Sequence, residues 1–199
     1  MLNEKIPTEG VHHITLVGAS RKTSIDFWEG TLGMPFVFEQ PNLDDEQESH
    51  LYFDPGDGRL ITVFTNESRT ADSERTSTST GSVHHLAFTV SQSTFEQVAK
   101  RLQNKGIEHS GPKDRGFMES IYFQDPLGLL IELAYYRFTV PEGFRIADVM
   151  ISAHRIRVAD GGYNIKQEHV AKALLRLTQT RDSLSKPRDK HISDLGFLT

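Results

Sequence analysis

Two histidine pairs and one glutamate are the residues whose types and spacing ask for chemistry. Val11-His12-His13-Ile14-Thr15-Leu16-Val17 returns, almost residue for residue, as Val83-His84-His85-Leu86-Ala87-Phe88-Thr89-Val90. Both stretches are rich in β-branched and apolar side chains, which suits strands, yet each carries two imidazoles. Glu132 lies inside Leu129-Leu130-Ile131-Glu132-Leu133-Ala134, where an ionised carboxylate is costly unless it is paired or binds a cation. Two neutral imidazoles and one carboxylate form the facial set that leaves open positions on Fe(II), and Mn(II) shares these ligand preferences. His13, His85 and Glu132 are therefore the expected metal ligands, with Fe(II) as the first choice and Mn(II) as the second.

The elements that must position these groups are duplicated too. In the first repeat, Ser20 to Leu32 has helical apolar spacing and ends at Gly33, a residue suited to a left-handed C-terminus. Strands are expected at 35–39, 50–53 and 60–65, with a turn forced by Asp54-Pro55-Gly56-Asp57-Gly58. The second repeat offers a strand from Val83, a helix over 93–104 stopped at Gly106, and strands near Ile107, at 117–123 and at 129–135. Thr62 stands in the first repeat where Glu132 stands in the second, so three protein ligands are expected instead of four. Residues 66–82 contain one alanine and no larger apolar side chain, which marks a solvated linker. The expected organisation is a first module over 1–65, the linker over 66–82, a second module over 83–140 and an extension over 141–199. In that extension Asn164 and Gln167 suggest a helix entry, with a helix over about 165–180 and a polar, mobile stretch over 181–192.

Composition narrows the class of partner. With 199 residues, 37% hydrophobic and 25% charged, the chain can build one ordinary core or two small ones. No apolar run approaches the ~20 residues of a membrane span, and Met1 to Glu9 lacks the apolar segment of a signal peptide, so a cytoplasmic protein is expected. The absence of cysteine excludes disulfides and thiolate ligands. A net charge of −5 without a basic block argues against nucleic acid and for a small-molecule partner.

A strand-helix-three-strand module used twice, with histidine on the first strands and glutamate on the last, resembles the vicinal oxygen chelate superfamily of glyoxalases, fosfomycin-resistance transferases, bleomycin-binding proteins and extradiol dioxygenases. The resemblance covers residues 11–135. Within that superfamily the chain is most similar to ring-cleaving dioxygenases acting on hydroquinones, through both histidine pairs, His50-Leu51-Tyr52, and the segment Asp114-Arg115-Gly116-Phe117-Met118-Glu119-Ser120-Ile121-Tyr122-Phe123. The resemblance implies an α+β fold in which two tandem βαβββ modules form an open, curved mixed sheet, a half-barrel around the metal, in a homodimer. It also implies that the second histidine of each pair and Glu132 hold iron, while His12, Thr15, His84, Arg115 and Tyr122 line a site for a small aromatic substrate and O2. Arg115 would then stabilise anionic oxygens, His84 or His12 would shuttle phenolic protons, and Tyr122 would donate a hydrogen bond. Strand alternation by itself sets His12 and His84 on the face opposite His13 and His85, and His50, alone at a strand start, reads as a structural residue. Two other functions use the same scaffold: a Mn(II)-dependent thiol transferase of the fosfomycin-resistance kind, and a drug-binding protein without catalysis.

Overall fold

In the computed structural model, residues 6, 8–72 and 74–179 are described, and the polar stretch expected to be mobile at 181–192 lies outside them. The first repeat forms β1 (His13–Val17), α1 (Arg21–Trp28), β2 (Phe36–Pro41), β3 (Ser49–Phe53) and β4 (Leu60–Thr65). The second forms β5 (Leu86–Thr89), α2 (Gln92–Asn104), β6 (Lys113–Asp114), β7 (Met118–Gln124) and β8 (Leu130–Tyr136). Two further helices follow, α3 (Ile146–Ala159) and α4 (Gln167–Gln179). The α+β class and the doubled strand-helix-three-strand order agree with the sequence.

Each repeat builds its own four-stranded sheet with the same strand order, β1-β4-β3-β2 and β5-β8-β7-β6. The first is mixed: β1 runs parallel to β4, while β3 is antiparallel to both of its neighbours. Its register sets Thr15 beside Thr62 and Thr62 beside Tyr52. Alternation then turns Ile61, Val63, Leu51 and Phe53 to the other face, where all four are buried. α1 begins where the Ser20 hydroxyl accepts the Thr23 amide at 3.2 Å, an ordinary N-cap, and Gly33 takes the expected left-handed φ of 71°.

The described residues fall into two compact units, one of residues up to 88 with 102–109 and 122–132, the other of 89–101, 110–121 and 133–179. The first is centred on the apolar face just described: Trp28 lies 6.4 Å from Phe53 and 6.2 Å from Phe88, and Phe27 lies 6.4 Å from Phe123, between ring centroids. The second contains the α3–α4 pair, closed by Val149, Ala153, Ile156, Val170, Ala173 and Leu177. No helix among the described residues is long and apolar enough to cross a membrane.

Three details depart from the expectations. The strand placed near Ile107 is only the two-residue β6 further on, with His109 making an isolated bridge to Phe123. α3 is an addition to the expected elements: Val149, Ala153 and Ile156 have helical spacing, but apolar Met150, Ile151 and Val158 lie off that stripe and blur the contrast between its faces. α4 starts after Lys166 instead of at Asn164, and the Lys166 amide donates to His169 Nδ1 at 2.9 Å, so a buried histidine does the capping.

Most described residues of 66–82 are exposed, yet their backbone is tied down. Arg69 pairs with Glu48 and donates to the Phe64 carbonyl at 3.2 Å. Further on, the Asp72 amide donates to the Pro126 carbonyl at 2.7 Å and the Thr76 amide to the Gly128 carbonyl at 3.1 Å. This strap lies over the β7–β8 turn so closely that a Cβ on Gly128 would fall on the Glu74 carbonyl. Gly128 also has a φ of 83°, which costs a non-glycine residue about 1–3 kcal/mol. Gly128→Ala should therefore lower stability by at least that amount in urea unfolding and expose the strap to limited proteolysis; an unchanged cleavage rate within 66–82 would show that the strap is not held there.

Candidate metal centre

Glu132 projects from β8 and is 3% exposed. Its Oε2 lies 2.9 Å from His85 Nε2, whereas Oε1 is buried with no hydrogen-bond partner among the described residues. A carboxylate out of water with one oxygen unmet is destabilising unless something positive completes it, so the donor set suits a divalent cation. At the equivalent place on β4, Thr62 is wholly buried and donates to the Thr15 hydroxyl at 2.8 Å. The first repeat satisfies internally what the second leaves open.

The histidine pairs share one geometry. His12 and His13 have Nδ1 atoms 2.8 Å apart and ring centroids 5.1 Å apart at 80°; His84 and His85 give 2.8 Å, 5.1 Å and 82°. The opposite-face expectation for His12 and His84 is corrected here, because β1 begins only at His13 and β5 only at Leu86. The first imidazole of each pair precedes its strand, where period-two alternation does not apply, and it turns onto its neighbour.

Around His85 the structure gathers Glu132, His84 and Tyr122, whose ring lies 6.0 Å from that of His85 at 84°. It adds Arg75, from the polar segment 66–82. Arg75 Nη2 lies 3.1 Å from His84 Nε2, and since a guanidinium only donates, that nitrogen accepts. No sequence signal marked Arg75, because its place depends on the strap lying across Gly128.

His13 stands apart from this group: among the described residues no three His, Asp or Glu side chains come together so as to hold a metal. Thr15 is on the same sheet as His13, with its oxygen taken by Thr62. Arg115 belongs to the other compact unit, at the β6–β7 turn.

His50 does more than begin a strand. Its Nδ1 lies 2.9 Å from the Tyr52 hydroxyl, and its ring lies 4.3 Å from those of both Tyr52 and Phe64, while Nε2 is buried without a partner among the described residues. Burial pushes its pKa down, with a smaller contribution from the charge of His13.

The profile of the glyoxalase/bleomycin resistance protein/dioxygenase superfamily matches residues 10–133. A Bacillus subtilis (strain 168) protein named as a candidate ring-cleaving dioxygenase, MhqO, is 30% identical over 127 residues, which are 63% of this chain and 40% of that protein. The chain thus spans well under half the length of that relative. Biphenyl-2,3-diol 1,2-dioxygenase 3 of Rhodococcus globerulus is 29% identical over 142 residues, covering 68% of this chain and 67% of that one. Among solved structures, a glutamate-to-glutamine variant of the fosfomycin resistance protein FosX of Listeria monocytogenes, complexed with Mn(II) and 1S,2S-dihydroxypropylphosphonic acid, superposes with a TM-score of 0.51 at 22% identity over 67% of this chain and 96% of that one. That likeness concerns the fold alone.

The His50 shift sets a pH dependence. The fold favours neutral His50, so the unfolded chain binds the extra proton: this stability is complete above about pH 6.5 and is lost as pH falls toward the depressed folded-state pKa. Thermal unfolding followed from about pH 8 to about pH 5 should show a steeper loss in the wild type than in His50→Phe; equal slopes would assign the loss to other groups.

Proposed function

The chain belongs to the glyoxalase/bleomycin resistance protein/dioxygenase superfamily, and on that premise we propose that it is an Fe(II)-dependent, extradiol-type ring-cleaving dioxygenase acting on a hydroquinone or a catechol. The observation that carries the reading is the buried Glu132 carboxylate, paired through one oxygen with His85 and, among the described residues, unmet at the other. His85 and Glu132 of one copy would hold the metal together with His13 of a second copy. In a two-fold dimer each chain both gives its His13 and receives one, so two identical centres close. A cytoplasmic homodimer acting on a small aromatic molecule and O2 belongs to the same proposal.

Bound iron would supply a Lewis acid for a phenolate oxygen and one-electron exchange with dioxygen. The remaining steps fall to the chain's own groups. His12 Nδ1 is engaged by His13, which leaves Nε2 to take a phenolic proton; both nitrogens of His84 are engaged, by Arg75 and His85, so His84 orients more than it exchanges. Thr15 accepts from Thr62 and has its own hydroxyl hydrogen to give to a substrate oxygen. Tyr122 flanks the ring and donates to it, and the guanidinium of Arg115 balances negative charge on the opening ring.

Elemental analysis of anaerobically purified protein, with oxygen uptake on hydroquinone and catechol after Fe(II) addition, tests the reading. Stoichiometric iron and uptake that disappears in His13→Ala are expected, whereas bound manganese without uptake would favour a thiol transferase and no bound metal would leave a binding protein. The shared centre makes a sharper prediction. His13→Ala and Glu132→Ala are each inactive, and after unfolding and refolding together they recover about a quarter of wild-type activity through mixed dimers with one intact centre; no recovery would place all three ligands within one chain.

A further inference from the structure

The α3–α4 pair lies beyond residue 133, where the superfamily match ends, and the proposed reaction gives it no task. Its contacts suggest one. β6 and β7 form a tight hairpin in which Lys113 pairs with Ser120 and Asp114 with Glu119, and the Arg115 amide donates to the Met118 carbonyl at 3.0 Å. The two loop residues are then Gly116 and Phe117. Gly116 has a φ of 86°, a conformation open to glycine and strained for other residues.

Four contacts hold this turn from outside. A Cβ on Gly116 would stand 2.5 Å from the Ile165 carbonyl oxygen, just ahead of α4, so the turn lies directly against the backbone entering that helix. Phe117 packs against the α3–α4 core together with Ile165 and Leu174. The Phe117 carbonyl accepts the Arg137 amide at 3.0 Å. Arg137 also forks onto Asp114 Oδ2 at 3.0 Å and Glu119 Oε1 at 2.5 Å, one carboxylate on each side of Arg115. All of these residues belong to one compact unit.

We infer that the α3–α4 pair is the seat of the Arg115 turn, and that Gly116, Phe117 and Arg137 are positioning residues for Arg115. The inference rests on the reading of Arg115 as a substrate-contacting group. A two-residue hairpin tip projecting into water samples many orientations; set against the Ile165 carbonyl and anchored by a partly buried phenyl ring, it samples fewer.

A double-mutant cycle on the iron-loaded protein separates positioning from general stability. Arg115→Ala is expected to lower kcat/KM about a hundredfold and Phe117→Ala about tenfold. The double variant should be no worse than Arg115→Ala alone, because Phe117 acts through a guanidinium that is already gone. Phe117→Leu, which keeps an apolar anchor, should recover most of the activity and guards against misfolding of the alanine variant. A Phe117→Ala that unfolds at lower temperature yet keeps wild-type kcat/KM, or a double variant whose losses multiply, would overturn the inference. If wild-type protein consumes no oxygen with either substrate, the dioxygenase reading fails on its own, and the seat is decided by hydrogen exchange. Arg115 amide exchange at least about tenfold faster in Phe117→Ala then supports it, and equal rates overturn it.

Discussion

Glu132 is a carboxylate where water does not reach it, and the asymmetry of the two repeats follows from that fact. A buried carboxylate needs its charge balanced and both oxygens met. His85 meets one oxygen and nothing described meets the other. The same strand position in the first repeat holds Thr62, equally buried but neutral and satisfied by Thr15. Two copies of one motif have thus diverged: one closes on itself, the other keeps an unmet valence. Among the described residues, the carboxylate of the second repeat is the one whose surroundings suit a cation.

The groups around His85 show how much positioning comes from elements with little apolar content. His84 joins His85 because the chain has not yet become a strand at that point. Arg75 reaches His84 because a polar strap is bonded across Pro126 and Gly128. A glycine that clears space for a carbonyl does here what a hydrophobic contact does in the core. The contacts are polar and exposed, so their contribution is to orientation more than to stability.

The segment after β8 shows the same logic with apolar contacts. α3 and α4 close on small and branched side chains, Val149 and Ala153 against Val170 and Ala173, and their remaining apolar surface takes Phe117. Asp148 seals the start of α3 by accepting from Arg145, which holds its carboxyl below the usual carboxylate range. A helix pair with its own core and a sealed end gives a firm surface, and the β6–β7 turn rests on it.

The sequence by itself determined the duplication, the α+β class, the order of elements in both repeats and the identity of the unusual residues, because these depend on local periodicity, turn residues and the cost of an isolated charge in an apolar run. The candidate pair of His85 and Glu132 was legible for that reason, and so was the helix stop at Gly33. Tertiary structure decided what depends on residues distant in the chain. It paired His85 with Glu132 and left His13 outside that pair, laid Arg75 on His84, gave His50 to Tyr52 and Phe64, and put α3, apolar on more than one face, beneath Phe117. None of these contacts has a local signature. Each exists because folded backbone brings together side chains whose separation along the chain carries no information about their separation in space.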